Sequence, residues 1–121
     1  MAAKLYGAGN APLKIQFITD PHYYSRKGGT EGKAYEKAEA KSQKVIKDSD
    51  LVIKAGFDLL CADTSTDIVV LAGDTTRDGE LASHAEFIEM LRDLKKRGKR
   101  VYVITATHDY LEAHTLPIAI L

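Results

Sequence analysis

The sequence predicts an α/β fold with a parallel sheet core in the order β-α-β-α-β. Three segments, 13–20, 67–72 and 101–106, are rich in apolar and β-branched residues, and apolar residues recur at helical spacing in the two segments between them. Strands that alternate with helices pair in parallel through right-handed crossovers. We therefore expect the carboxyl ends of all three strands to lie at one edge of the sheet.

The first strand, at 13–20, is followed by a loop that begins at Pro21. Between 33 and 62 the apolar residues form an interrupted helical stripe. Ser49-Asp50 is a sequence that begins helices, so a second helix is expected to begin inside this segment.

The segment 67–72 is apolar after its first residue, as in a strand that is covered on both faces. A loop at 73–79 follows, and apolar residues then mark one face of a helix that Gly98 is expected to terminate. The segment 101–106 is the third strand. The apolar tail 116–121 is expected to form a further strand or an interface segment.

Charge and hydropathy argue against several classes of partner. Lys plus Arg and Asp plus Glu number 17 each, so the formal net charge is zero and no global field attracts nucleic acid or an anionic membrane. No apolar run is long enough to span a membrane, and the first ten residues lack the apolar core of a signal peptide. A cytoplasmic protein without a nucleic-acid-binding patch or a membrane segment is expected.

Each predicted strand ends in a polar cluster that could bind a metal. In chain order these clusters are Asp20-Pro21-His22, Gly73-Asp74 and Thr107-His108-Asp109. The carboxyl edge of an open α/β sheet is where ligands bind. Carboxylates gathered there repel each other unless protons or cations lie between them, and imidazoles among them favour a transition metal or Zn²⁺ over Mg²⁺ alone.

A known family carries three blocks of this kind, D-x-H, G-D-x-x-x-x-G and G-N-H-[DE]. The chain has Asp20-x-His22, then Gly73-Asp74 with Gly79, then His108-Asp109. It resembles the calcineurin-like metallophosphoesterases over about residues 15–109. The resemblance implies the N-terminal half of that family's α/β sandwich, in a single, incomplete domain that spans 1–121. It also implies hydrolysis of a phosphate ester, a monoester or a diester, by a metal-activated water.

The resemblance further implies a role for each residue. Asp20 and His22 would bind a first metal ion, and Asp74 would bridge two. His108 would assist the leaving oxygen as a proton donor, and Asp109 would orient its ring. The implied ions are Mn, Fe or Zn, in a site that is dinuclear in the family.

Two departures from the family pattern concern the second metal. Thr107 stands where the family has Asn, and a neutral hydroxyl is a poorer metal ligand. The family's later G-H-x-H block has no counterpart, and His114, the one later histidine, is expected at the surface. We therefore expect one tight metal site and weak phosphatase activity. An unpaired sheet edge and the apolar tail also lead us to expect self-association.

Two other hypotheses stay open. The chain could be a non-catalytic metal- or phosphate-binding module, which metal stoichiometry would distinguish from a dinuclear enzyme. It could also be another α/β module with an incidental edge cluster. A receiver or haloacid-dehalogenase-like domain would have a second carboxylate near Asp20, where position 22 is His, and the P-loop pattern is absent. Arg77 could contact a phosphate oxygen, but both Arg77 and His84 are expected to be exposed residues near the start of the third helix.

Overall fold

The computed structural model describes the backbone of residues 2–6 and the whole of residues 11–42 and 45–110. The expected strand or interface segment at 116–121 and the surface position expected for His114 lie outside these ranges. None of the helices in the described ranges is long and apolar enough to cross a membrane.

Four strands form one sheet, in which spatial order follows chain order. The strands are β1 (Ala2–Tyr6), β2 (Pro12–Ile18), β3 (Ile68–Ala72) and β4 (Arg100–Ile104). β2, β3 and β4 are parallel, which confirms the predicted β-α-β-α-β core. β1 pairs antiparallel with β2 and was not predicted. Its alanines and lysine have low intrinsic strand propensity, so the backbone ladder to β2 is what makes it a strand.

Three α-helices connect the parallel strands: α1 (Lys33–Lys41), α2 (Ser49–Ala62) and α3 (Leu81–Lys96). The expected second helix does begin at Ser49. α3 ends as predicted, because Gly98 adopts a φ of 82°. The amide of Gly98 donates to the Lys95 carbonyl and that of Lys99 to the Leu94 carbonyl, which is a Schellman motif.

The hydrophobic core lies between one face of the sheet and the helices α2 and α3. Val69 and Leu71 of the central strand β3 are fully buried there. Phe57 of α2 and Phe87 of α3 pack over them, with their ring centroids 5.3 Å apart in an edge-to-face arrangement. β3 has a parallel neighbour on each side, which is why its inward side chains are the most deeply buried of the sheet.

The opposite face of the sheet is covered only in part by the described residues. Register places Phe17, Val70 and Tyr102 side by side on that face. Val70 is half-buried, whereas Phe17, Tyr102 and Ile104 are 41%, 55% and 61% exposed. The apolar segment 67–72 led us to expect a sheet that is covered on both faces. Within the described ranges, the cover is complete only on the face that packs against the helices.

The two faces predict different costs of truncation. Leu71→Ala should lower the free energy of unfolding by about 2–5 kcal/mol, because it leaves a cavity in the core. Ile104→Ala, on the open face, should cost less than about 1 kcal/mol. Urea denaturation of both variants measures the difference. Equal losses would show that the open face is covered in solution.

Candidate metal centre

The carboxyl ends of β2 and β3 bring three side chains together. Asp20, His22 and Asp74 each offer one ligand atom, and these atoms all lie within 4.8 Å of one another. Asp20 is exposed, and the other two residues are half-buried. The first two predicted clusters therefore converge at one edge of the sheet, as their strand-end positions led us to expect.

Backbone pairing between the loops continues beyond the strands. The amide of His22 donates to the carbonyl of Asp74 at 3.0 Å, and that of Tyr23 to the carbonyl of Thr75 at 3.0 Å. Arg77 in turn donates its amide to the carbonyl of Tyr23. Tyr23 is fully buried and packs against the core, so it anchors this extension. The ladder fixes the separation of the cluster residues on the two loops.

All three cluster residues have a left-handed backbone. Asp20, His22 and Asp74 adopt φ values of 51°, 45° and 47°, and they are the non-glycine residues with positive φ in the described ranges. Such conformations cost on the order of 1–3 kcal/mol each and persist where the surrounding structure enforces them. All three therefore lie where tertiary contacts, and not local preference, hold the backbone.

The donor set fits a divalent cation. Two carboxylates and an imidazole supply the oxygen and nitrogen ligands that Mn, Fe and Zn accept. The Nε2 atom of His22 lies 3.9 Å from Oδ2 of Asp74. Its Nδ1 is buried without a hydrogen-bond partner in the described structure. A buried polar atom without a partner is costly, and the nitrogen that lies beside the Asp74 carboxylate is Nε2. The cluster could hold a metal ion.

The loop after β4 brings His108 to the same edge. The backbone amide of His108 donates to Oδ1 of Asp74 at 3.0 Å, which fixes one oxygen of that carboxylate. The His108 ring packs edge-on against the ring of His22, with centroids 4.9 Å apart. Its Nδ1 lies 3.1 Å from Oδ1 of Asp78. The third predicted cluster therefore joins the first two through His108.

The role expected for Asp109 needs correction. This residue is only 2% exposed, and its carboxylate points into the fold. Oδ1 accepts from the Thr75 hydroxyl and from the amide and hydroxyl of Thr76, and Oδ2 accepts from the amide of Ala106. Burial opposes ionisation of Asp109, but these hydrogen bonds outweigh it and hold its pKa below the usual range. Asp109 therefore joins two loops and does not orient the His108 ring.

Asp78 contacts the ring of His108 instead, a role that the sequence did not indicate. It lies in the loop 73–79, immediately before the closing Gly79. The position of a strand end indicates only the first polar residues that follow the strand. The signal that could have revealed Asp78 is a second carboxylate in the loop 73–79, because the two ends of this loop are fixed by Gly73 and Gly79.

Thr107 opens a short 3₁₀ turn, Thr107–Tyr110, and its side chain is exposed. Its role as a ligand of a second metal stays a prediction. The adjacent Ala106 packs closely against Gly73, where a built Cβ would lie 2.7 Å from the Cβ of Ala106. Gly73 also has a φ of 91°, so both the backbone and the approach of the two loops require glycine there.

Two residues expected to be exposed are not. The Arg77 side chain is 20% exposed, forms ion pairs with Asp78 and Glu80, and lies over the Tyr24 ring at 5.7 Å. His84 is 6% exposed, and its Nε2 lies 3.1 Å from the carbonyl oxygen of Asp109. Both expectations are wrong because the loops at this edge fold over the start of α3.

Comparison with known proteins identifies no family for this chain. No protein-family model matches the chain, and no curated protein sequence matches it significantly.

The buried position of Asp109 predicts a stability loss on neutralisation. Asp109→Asn should lower the free energy of unfolding by about 1–3 kcal/mol at neutral pH, because buried amide and hydroxyl donors lose a charged acceptor. Because the pKa of Asp109 is lower in the folded state, its carboxylate stabilises the fold at a pH above its unfolded-state pKa of about 4. This stabilisation is lost as the pH falls through the folded-state pKa. The difference between wild type and variant should therefore shrink in acid.

Chemical denaturation at neutral and acidic pH, with a chelator present, measures this effect. Asp93→Asn is the matched control, since that carboxylate is exposed and pairs with Lys96 on the helix surface. It should change stability by less than about 1 kcal/mol. An equal loss of stability in the two variants would contradict the conclusion that the Asp109 carboxylate joins the two loops.

Proposed function

We propose that this protein is a metal-dependent phosphoesterase of the calcineurin-like type, which hydrolyses a phosphate monoester or diester. The observation that carries the proposal is the convergence of Asp20, His22 and Asp74, all on a left-handed backbone, with His108 in contact with two of them. A purely structural polar cluster would not need three strained residues beside a buried nitrogen that lacks a partner.

Asp20, His22 and Asp74 are the residues that would hold the cation, which we propose to be Mn, Fe or Zn. When bound, it would offset negative charge on the phosphoryl oxygens and lower the pKa of a water molecule. The Asp74 carboxylate is held in place for this task, since the His108 amide contacts Oδ1 and Oδ2 faces His22.

His108 is the proposed general acid. Imidazole is the side chain that most often serves in proton transfer. Asp78 beside Nδ1 fixes the orientation of the ring, so that Nε2 is the nitrogen that would deliver a proton to the leaving oxygen. Asp78 is therefore a positioning residue, in the role first assigned to Asp109.

A non-catalytic module that binds one metal is the second candidate. In the described ranges, the group formed by Asp20, His22 and Asp74 is the one set of at least three His, Cys, Asp or Glu side chains that could hold an ion. Thr107, the proposed ligand of a second ion, is exposed and neutral. These features favour a tight mononuclear site, and activity measurements separate the two candidates.

Association of copies and a cytoplasmic location remain proposals. β4 ends the sheet within the described ranges and carries the exposed Ile104, so its edge is a candidate surface for self-association.

The metal proposal predicts a stoichiometry. Purified protein loaded with Mn²⁺ or Zn²⁺ should hold one tightly bound ion per chain. Asp74→Asn should weaken binding at least about 10-fold, because the cluster loses a charged ligand. Titration calorimetry and elemental analysis measure both. Asp58→Asn on the exposed side of α2 is the control and should bind as wild type does. Unchanged binding in Asp74→Asn, or two equally tight ions, would contradict the assignment.

The general-acid proposal predicts a split between turnover and metal content. His108→Ala should lower kcat for an aryl phosphate by about 10²–10⁴-fold while metal content is retained. Asp78→Asn should lower kcat less, since it disturbs only ring orientation. Steady-state kinetics with parallel metal analysis test this. Loss of metal in step with activity would mean that His108 is itself a ligand.

A further inference from the structure

A cavity adjoins the cluster on the side of α2. Its volume is about 340 Å³, and its apolar wall is formed by Pro21, Val45, Val52 and Ile53. This volume lies at the lower end of the range of small-ligand sites. The structure therefore offers a space the size of one ring or a short chain beside the residues that would hold the cation.

The cavity is continuous with the metal cluster. Asp20 and His22, two of the three cluster residues, also line it. A phosphate held at the cluster would thus carry its substituent at the mouth of the cavity.

The chemistry of the lining favours an apolar occupant. Val45 and Val52 are 69% and 62% exposed at this wall, and a ligand that covers them gains from the burial of apolar surface. Ser49, the remaining described residue of the lining, is already used within the fold. Its hydroxyl accepts from the amide of Tyr24 and donates to the carbonyl of His22. Among the residues that the structure describes, no Lys or Arg lines this cavity.

A second groove carries basic side chains. It runs along α1 and is lined by Lys37, Lys41 and Arg77, but also by the carboxylate of Asp78, which opposes the binding of a second anionic group. It also shares no residue with the Asp20, His22 and Asp74 cluster, and Arg77 is already paired with Asp78 and Glu80. The cavity beside α2 is therefore the better candidate for the part of the substrate next to the phosphate.

We propose that the cavity beside α2 binds an apolar aryl or alkyl group attached to the phosphate, and that Val52 determines this preference. The inference rests on the proposed function for the anchoring of the phosphate. It goes beyond it by assigning the substrate class: phosphate esters of apolar alcohols or phenols, in preference to those of small polyols.

The first test compares kcat/KM for 1-naphthyl phosphate and glycerol 3-phosphate. Wild type should prefer the naphthyl ester. Val52→Glu should reduce that preference about 10-fold or more, mainly through KM, because one side chain in an apolar pocket discriminates by about 10–200-fold. Leu59→Glu is the matched control on the same helix, 74% exposed and outside the cavity, and should keep the wild-type preference.

The second test needs no turnover. Titration calorimetry of the Zn²⁺-loaded protein compares phenylphosphonate with methylphosphonate, neither of which is hydrolysed. Phenylphosphonate should bind about 10-fold more tightly, and Val52→Glu should remove the difference, while its negative charge weakens the binding of both anions to a similar extent. Val52→Ala, a milder change, should reduce the difference in part and guards against a folding defect in the Glu variant.

The outcomes separate the two proposals. Hydrolysis with no preference, or with a preference that Val52→Glu leaves intact, overturns the cavity proposal alone. Selective phosphonate binding without hydrolysis of any ester keeps the cavity proposal and overturns the enzymatic one. Failure to bind either phosphonate would show that the cluster does not anchor the phosphate, which overturns both proposals, whereas equal binding of the two overturns the cavity proposal alone. A change of oligomeric state in Val52→Glu also overturns the cavity proposal, since it would show that the valines contact a second copy of the chain.

Discussion

The arrangement of the site depends on the hydrogen bonds that the Asp109 carboxylate accepts. This carboxylate is buried, its pKa lies below the usual range although burial opposes ionisation, and it accepts hydrogen bonds from the loop after β3 and from Ala106 in the loop after β4. The carbonyl of the same residue contacts His84 on α3. Because charged acceptors form stronger hydrogen bonds than neutral ones, this one residue holds two strand-end loops and a helix in register. His108 occupies its place beside Asp74 because its neighbour in the chain is held in this way.

The same hydrogen bonds of Asp109 help to maintain the strained backbone of the cluster. Asp20, His22 and Asp74 occupy unfavourable backbone conformations, and two carboxylates approach each other within the cluster. Both features oppose folding. The ladder between the loops and the Asp109 hydrogen bonds offset that cost. A cation at the cluster would relieve the remaining repulsion and so stabilise the folded state by mass action.

The two surfaces beside the cluster differ in chemistry, so a bound ligand would meet different side chains on its two sides. An apolar cavity lies towards α2, and a groove with Lys37, Lys41 and Arg77 lies along α1. Between them, Asp78 contacts His108 and pairs with Arg77. The side chain that positions the proposed acid is therefore tied to the cationic groove, and a ligand that drew Arg77 away would change the surroundings of that acid.

The sequence by itself determined the parallel β-α-β-α-β core, the break between α1 and α2, and the convergence of Asp20, His22 and Asp74. These features follow from periodicity, from capping residues and from the rule that parallel strands end at one edge, all of which are local or topological. Only the tertiary structure decided that β1 pairs with β2, that Asp109 points inward while Asp78 contacts His108, and that Arg77 and His84 are covered. The direction of a loop side chain depends on which distant segment packs against it, and strand pairing at an edge depends on a partner elsewhere in the chain. Neither leaves a periodic signal in the residues themselves.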